Sequence, residues 1–222
     1  MTARRPAAAL FDLDRTLLDV NSGHDWVRWA WSHGQLNARD VARAVWGFGA
    51  YALGRSDLEG FLDAAIARYA GHDAAALQDE TEHWYDTRMA HRVRPGAQQA
   101  VARHRAQGDA IAIATTGSWF AARVASARLQ LPLAVSTELG IEAGRITGRI
   151  AAHAHGPHKA RRALEWLARV GVAPADAWFY TDSMSDLPLL LAVGHPVVVH
   201  PDPRLHREAK ARGWPIVDWG TA

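Results

Sequence analysis

Short apolar runs of strand length recur along this chain and alternate with stretches of helical periodicity, a rhythm that leaves few architectures open. The runs cover residues 7–11, 109–114, 133–136, 177–181 and 196–200. Helical spacing of apolar residues marks 23–34, 41–53, 58–69, 74–89, 97–107, 119–129 and 159–170. Strands that alternate with helices form parallel sheets, because a parallel connection must cross over the sheet. Runs this continuously apolar are buried on both faces. The expected fold class is therefore α/β, with a doubly wound parallel sheet as its core. The helical segments after residue 20 have no strand between them until Arg94-Pro95-Gly96 restores the alternation. This predicts a core domain of residues 1–20 and 94–222 and an inserted all-helical domain of residues 21–93. A hairpin with Gly144 in its turn is expected over residues 141–146.

A chain of 222 residues, 49% of them hydrophobic, can bury one good core and a smaller appended domain. With no cysteine there is neither a disulfide framework nor a thiolate metal site. Lys and Arg total 25 against 23 Asp and Glu, without a dense basic block, which argues against nucleic acid as a partner. The apolar segments are broken by Arg, Asp and His too often to span a bilayer, so no membrane partner is expected. No long apolar leader opens the sequence, and the expected location is the cytoplasm. The oligomeric state stays open between monomer and homodimer.

Three of the runs end in polar residues suited to a single reaction. The first ends in Asp12 and Asp14, the second in Thr115-Thr116-Gly117-Ser118 and the third in Asp182-Ser183-Met184-Ser185-Asp186; Lys159 lies between the last two. Ligands of open α/β sheets bind beyond the carboxyl ends of the strands. As neighbours but one at a strand end, Asp12 and Asp14 would project to the same side. There they can hold a metal and divide the roles of nucleophile and proton donor. A phosphomonoester is a dianion, and attack on it by a carboxylate needs a divalent cation and a lysine to offset the repulsion. The plain alternatives are a helix N-cap for the Asp and Thr residues and a solvated helix position for Lys159.

In this order and spacing the motifs resemble the haloacid dehalogenase (HAD) superfamily of phosphohydrolases across nearly the whole chain. The resemblance implies a Rossmann-like core, with Asp12 as the nucleophile that forms an aspartyl-phosphate and Asp14 as general acid and then general base. It implies Mg²⁺ held by Asp12, Asp14 and Asp182, and phosphoryl oxygens held by Thr115, Lys159 and the backbone amides of Thr116 and Gly117. Thr16, Ser183 and Asp186 take supporting roles, Asp186 by orienting Lys159 or a metal-bound water. An insertion directly after the first motif is similar to the C1 cap of the phosphoserine phosphatase-like branch, subfamily IB. The residues around Gly194-His195-Pro196 and Pro201-Asp202-Pro203 resemble the tail of histidinol-phosphatase-like members. The implied partner is a small phosphorylated metabolite, L-histidinol phosphate first and phosphoserine or a phosphotransferase reaction as alternatives. A non-catalytic binding protein is the alternative of another class. Asn21 stands where the phosphoserine enzymes place a glutamate for the substrate ammonium, which weakens the case for phosphoserine.

Other residues are open to two readings. Trp26, Trp29, Trp46 and Trp84 are expected in the interior of the helical insertion, with lining of a substrate pocket as the alternative. His153, His155 and His158 are expected to be solvated or to face the phosphate rather than bind zinc. Asp19, His24 and Asp25 are candidates for substrate selection near the hinge, with helix capping as the other reading for Asp25.

Overall fold

The computed structural model describes residues 7–52 and 58–222. Its seven strands are β1 (Ala8–Phe11), β2 (Ala110–Ser118), β3 (Leu133–Glu142), β4 (Arg145–Ala152), β5 (Ala177–Thr181), β6 (His195–Val199) and β7 (Ile216–Val217). They form one sheet in the order β4-β3-β2-β1-β5-β6-β7. Every neighbouring pair is parallel except the β3–β4 hairpin. The α/β expectation holds, and β1 lies near the centre because its residues are buried on both faces. Ala8 and Leu10 enter one apolar cluster while Ala9 and Phe11 enter the other, all of them fully buried.

Nine helices accompany the sheet among the described residues: α1 (Ser22–Ser32), α2 (Ala38–Ala52), α3 (Leu58–Ala67), α4 (Ala74–Arg88), α5 (Pro95–Ala106), α6 (Trp119–Leu129), α7 (Gly156–Arg169), α8 (Leu187–Ala192) and α9 (Pro203–Arg212). Leu167, Leu189 and Leu205 bring α7, α8 and α9 to one face of the sheet. Val101 and Val124 bring α5 and α6 to the other.

The helical insertion is α1 to α4. The chain enters and leaves it side by side: Leu18 bridges Val93, Asp19 N donates to Arg92 O at 2.9 Å, and Arg94 N donates to Leu17 O at 2.9 Å. The insertion is not packed apart from the sheet, however. Trp84, Tyr85 and Met89 share one buried cluster with Phe11 and Val124, so the end of α4 is part of the core.

Several boundaries differ from expectation. Residues 109–114 become the longer β2, which runs through Ser118 with register shifts on either side of Ala114. The run at 133–136 opens the ten-residue β3, and α7 begins at Gly156, ahead of Lys159. The hairpin turn has φ values of 47° at Ala143 and 77° at Gly144, the two left-handed positions that a tight hairpin requires. Beyond it the hairpin reaches the insertion, where Ile146 N donates to His72 O at 2.9 Å and Gly71 N to Ile146 O at 2.8 Å. The expected end of the second insertion helix at residue 53 and the expected core residues 1–6 lie outside the described residues.

Candidate active site

Three adjacent strands, β2, β1 and β5, end on the same edge of the sheet. Pairing of β1 with β5 continues one residue past β1, since Asp12 N donates to Tyr180 O at 2.9 Å. Asp12 is thereby fixed at the strand end, 6% exposed.

Asp14 reaches the same site by another route than strand alternation. After Asp12 the chain makes a wide turn in which Leu17 N donates to Asp12 O and Leu18 N to Leu13 O, with Asp14 extended and Arg15 left-handed at φ 58°. A bulky residue in that conformation is strained, a cost that native structures concentrate at functional sites. Arg94, expected only as part of the segment that closes the insertion, braces the turn: its Nε donates to the Arg15 carbonyl at 3.2 Å and its Nη1 to the Gly220 carbonyl. Asp14 Oδ1 accepts from Ser22 N at 2.7 Å, which ties this acid to the first turn of α1.

Lys159 is the cation of the site. Its Nζ lies 2.8 Å from Asp12 Oδ1 and 2.8 Å from Asp186 Oδ2, and the side chain is 1% exposed. Position 159 is in the first turn of α7, which aims the long side chain at the sheet edge. Asp186 Oδ2 also accepts from Thr181 Oγ1 at 2.6 Å. Thr181 is thus a positioning residue that sequence reasoning missed, although a Thr directly before Asp182 at a strand end was the available signal. Asp202, which the sequence places only within the Pro201-Asp202-Pro203 tail, has a role here: its N donates to Asp182 O at 2.8 Å and its Oδ2 accepts from Met184 N at 2.7 Å, holding the loop after β5.

The remaining expected residues divide. Thr115 is buried, and its Oγ1 accepts from Gly117 N at 3.0 Å. The Gly117 amide is therefore engaged within the loop, and Thr116 and Gly117 both line the cavity beside Asp14. The N-cap of α6 is Ser118, not a threonine. Ser183 caps the short turn over Met184–Asp186, with its Oγ 2.9 Å from Ser185 Oγ. Thr16 is fully buried, and its hydroxyl has no partner among the described residues.

Outside this cluster three expectations need correction. Trp84 is buried and Trp26 lines the cavity, but Trp46 is 74% exposed on α2 and contributes to no interior. Asp25 binds Trp84 Nε1 at 3.0 Å and Arg88 Nη2 at 2.7 Å, and Asp19 binds Arg92 Nε at 2.8 Å. Both brace the insertion rather than face a substrate. The three histidines turn toward α3: His155 Nε2 and His158 Nε2 each lie 3.2 Å from Glu59 Oε1, and His153 Nε2 lies 3.9 Å from Asp63 Oδ1.

The charge balance bears on the expected metal. Asp12 and Asp186 flank the ammonium of Lys159, and Asp14 and Asp182 add two further carboxylates to the same cluster, with Arg15 acting on both. Among the described residues the Asp182 side chain accepts no hydrogen bond, and Asp186 Oδ1 is buried with no partner. Burial pushes Asp12 up from 3.8 to about 7 against the pull of Lys159, with Asp186 and Asp14 adding to the rise. Burial likewise raises Asp14 and holds Asp182 well above the ordinary carboxylate range. Burial opposes the charge on Lys159, yet Asp12 and Asp186 hold its ammonium above the usual lysine range. Surplus anionic oxygen of this kind fits a hard divalent cation such as Mg²⁺.

A pH dependence follows. The native metal-free protein keeps on Asp12 a proton that the unfolded chain has already released, so between 3.8 and about 7 the native state binds more protons and loses stability as pH rises. In EDTA the melting temperature is expected to fall from about pH 5 to about pH 8, and stabilisation by Mg²⁺ to grow over the same range, because the cation takes the deprotonated carboxylate. Equal melting temperatures and an equal Mg²⁺ increment at both pH values would contradict this account.

The family model for haloacid dehalogenase-like hydrolases matches residues 9–191, which contain every residue of this cluster except Asp202. The chain belongs to that family. A probable phosphatase of Mycobacterium tuberculosis is 31% identical to this hydrolase over 223 residues, covering 97% of the chain and 76% of the relative. A histidinol-phosphatase of Neisseria meningitidis is 30% identical over 220 residues, covering 95% of the chain and 98% of the relative. Among solved structures, a protein of unknown function from Bordetella pertussis superposes with a TM-score of 0.87 at 29% identity, covering 97% of this chain and 100% of that one. No described helix of the hydrolase is long and apolar enough to cross a membrane.

Proposed function

We propose that the protein, a phosphatase of this family, hydrolyses a small-molecule phosphomonoester through an aspartyl-phosphate on Asp12. The observation that carries the reading is the bridge from Lys159 to Asp12 and Asp186, buried at the ends of adjacent strands with Asp14 beside it. In the first step an Asp12 carboxylate oxygen bonds to phosphorus as the ester P–O bond breaks, and Asp14 gives its proton to the departing alkoxide. The raised pKa of Asp14 suits it to hold that proton. In the second step Asp14 takes a proton from water, the water oxygen bonds to phosphorus, and the Asp12–phosphorus bond breaks to release phosphate. Lys159 offsets the charge on nucleophile and phosphoryl group, and Asp186, held by Thr181, keeps its ammonium in place.

Asp12, Asp182 and the backbone at Asp14 would hold Mg²⁺, which supplies further neutralisation of the phosphoryl charge. Thr115 and Thr116 would bind phosphoryl oxygens. The division into a core of residues 1–20 and 94–222 and a cap of residues 21–93 belongs to the same proposal, the cap closing over the leaving group to exclude water.

L-histidinol phosphate draws support from the name of the Neisseria relative, whereas Asn21 brings no carboxylate to its ammonium: the Asn21 side chain accepts from His24 N at 2.8 Å as the cap of α1. The test is phosphate release from histidinol phosphate, phosphoserine, sugar phosphates and simple alkyl phosphates, with Mg²⁺ and with EDTA. Mg²⁺-dependent release from at least one ester is expected. Absence of release from all of them, or release unaffected by EDTA, would overturn the reading.

A further inference from the structure

A cavity of about 420 Å³ opens beside Asp14, between the strand ends and helices α1 to α4. Thr116, Gly117 and Ser118 line it on the catalytic side. Trp26, Phe61, Ile66, Tyr69, Leu77 and Phe120 are among the apolar residues that line the rest. Its volume is in the range of pockets that enclose a whole small ligand.

The polar groups of this wall are largely committed to one another. Trp26 Nε1 donates to Tyr69 Oη at 2.8 Å, and Thr81 Oγ1 donates to the Leu77 carbonyl at 2.7 Å. Asp40 is the described carboxylate of the wall other than Asp14. One of its oxygens is paired with Arg68, and the other accepts from Asn37 N at 3.0 Å. Arg43 also lines the cavity. Apart from Asp14, the described wall residues therefore include two arginines and one carboxylate, and that carboxylate is already paired with Arg68. A substrate ammonium placed here would lose its hydration and find, among the described wall residues, no open carboxylate other than Asp14, which the reaction uses as its proton donor. Apolar carbon placed here would gain from leaving water.

Resting on the phosphatase reading above, we propose that the leaving group of the substrate is an uncharged, mainly apolar alcohol of aryl or medium-chain alkyl size, and that this wall selects it against amino alcohols. Hexyl phosphate and 6-aminohexyl phosphate make the decisive pair, because they share chain length and nearly the same leaving-group basicity and differ in the terminal charge. Their non-hydrolysable phosphonates, hexylphosphonate and 6-aminohexylphosphonate, are titrated by calorimetry in the presence of Mg²⁺, so the binding comparison does not depend on turnover.

The hexyl phosphonate is expected to bind at least tenfold more tightly than its amino counterpart. The kcat/KM of the esters is expected to favour hexyl by a similar factor and to rise from ethyl to hexyl by about threefold to fourfold per methylene. Leu36→Glu, which places a carboxylate in the wall, should shrink the preference by tenfold or more; should that variant fail to fold, the wild-type pair decides alone. Equal binding of the two phosphonates, or preference for the amino compound, overturns the inference whether or not the esters are hydrolysed. A tenfold preference in binding with no ester hydrolysed upholds the cavity assignment and overturns the phosphatase reading instead.

Discussion

Replacing Asp12 with Asn is expected to lower kcat by at least about 10⁴-fold while leaving the fold intact. The amide keeps the shape of the carboxylate, but its neutral oxygen is too weak a nucleophile to displace the ester oxygen from phosphorus. The stability half of the expectation comes from the site's electrostatics. Burial pushes Asp12 up to about 7, so near neutrality an uncharged side chain costs little in the metal-free protein. Two measurements check this. Acid-quenched wild-type enzyme mixed with a radiolabelled ester should retain label on the chain, and the variant should retain none. The melting temperature in EDTA at about pH 7 should be unchanged or higher in the variant. Near-normal turnover by Asp12→Asn would remove Asp12 as nucleophile, and an unfolded variant would contradict the electrostatic account.

Lys159→Met should do damage of a different kind. Methionine approximates the length and volume of the lysine stem but leaves Asp12 and Asp186, each 2.8 Å from the lost ammonium, facing one another without a cation. Removing one member of a buried ion pair typically costs about 3–5 kcal/mol, which for a domain of this size lowers the melting temperature by roughly 6–20 °C. The loss should shrink as pH falls, because Asp12, which burial pushes up to about 7, takes up a proton. Activity should fall by about 10²–10³-fold, the usual consequence of removing one charge-stabilising group. The double variant Asp12→Asn/Lys159→Met should recover part of the lost stability, since it removes one of the stranded carboxylates. A Lys159→Met protein as stable as wild type at about pH 8 would show that the ammonium does not hold this cluster together.

The strand ends were readable because an apolar run that stops abruptly at Asp or Thr marks where a buried strand meets solvent or ligand. Asp12 and Asp182 carry that mark, whereas Thr115 proves to lie within β2, which runs on to Ser118. Asp14 was readable as a site residue but not in its placement, since strand alternation would never set Arg15 at φ 58° or bring Asp14 to the amide of Ser22. Arg94 and Asp202 act through backbone atoms of partners distant in sequence, and Thr181 acts through the side chain of Asp186 across the short turn after β5; none of these contacts leaves a periodic trace. The insertion was the least legible part. Helical spacing predicts which residues are apolar along one face, but not which face meets the sheet. Trp84 and Trp46 occupy equally helical segments, and one is buried while the other is exposed.

What the sequence determined by itself was the α/β rhythm, the helical insertion and the acids and lysine of the cluster, because strand and helix periods and abrupt strand ends are local properties of the chain. Tertiary structure alone decided that Lys159 bridges Asp12 and Asp186, that three histidines turn toward α3, and that in the cavity beside Asp14 the Trp26 and Tyr69 polar atoms and the Asp40 carboxylate meet partners within the protein. Each of these depends on segments far apart in sequence being packed together. Pairing of that kind is settled by the burial of whole faces, which no local pattern specifies.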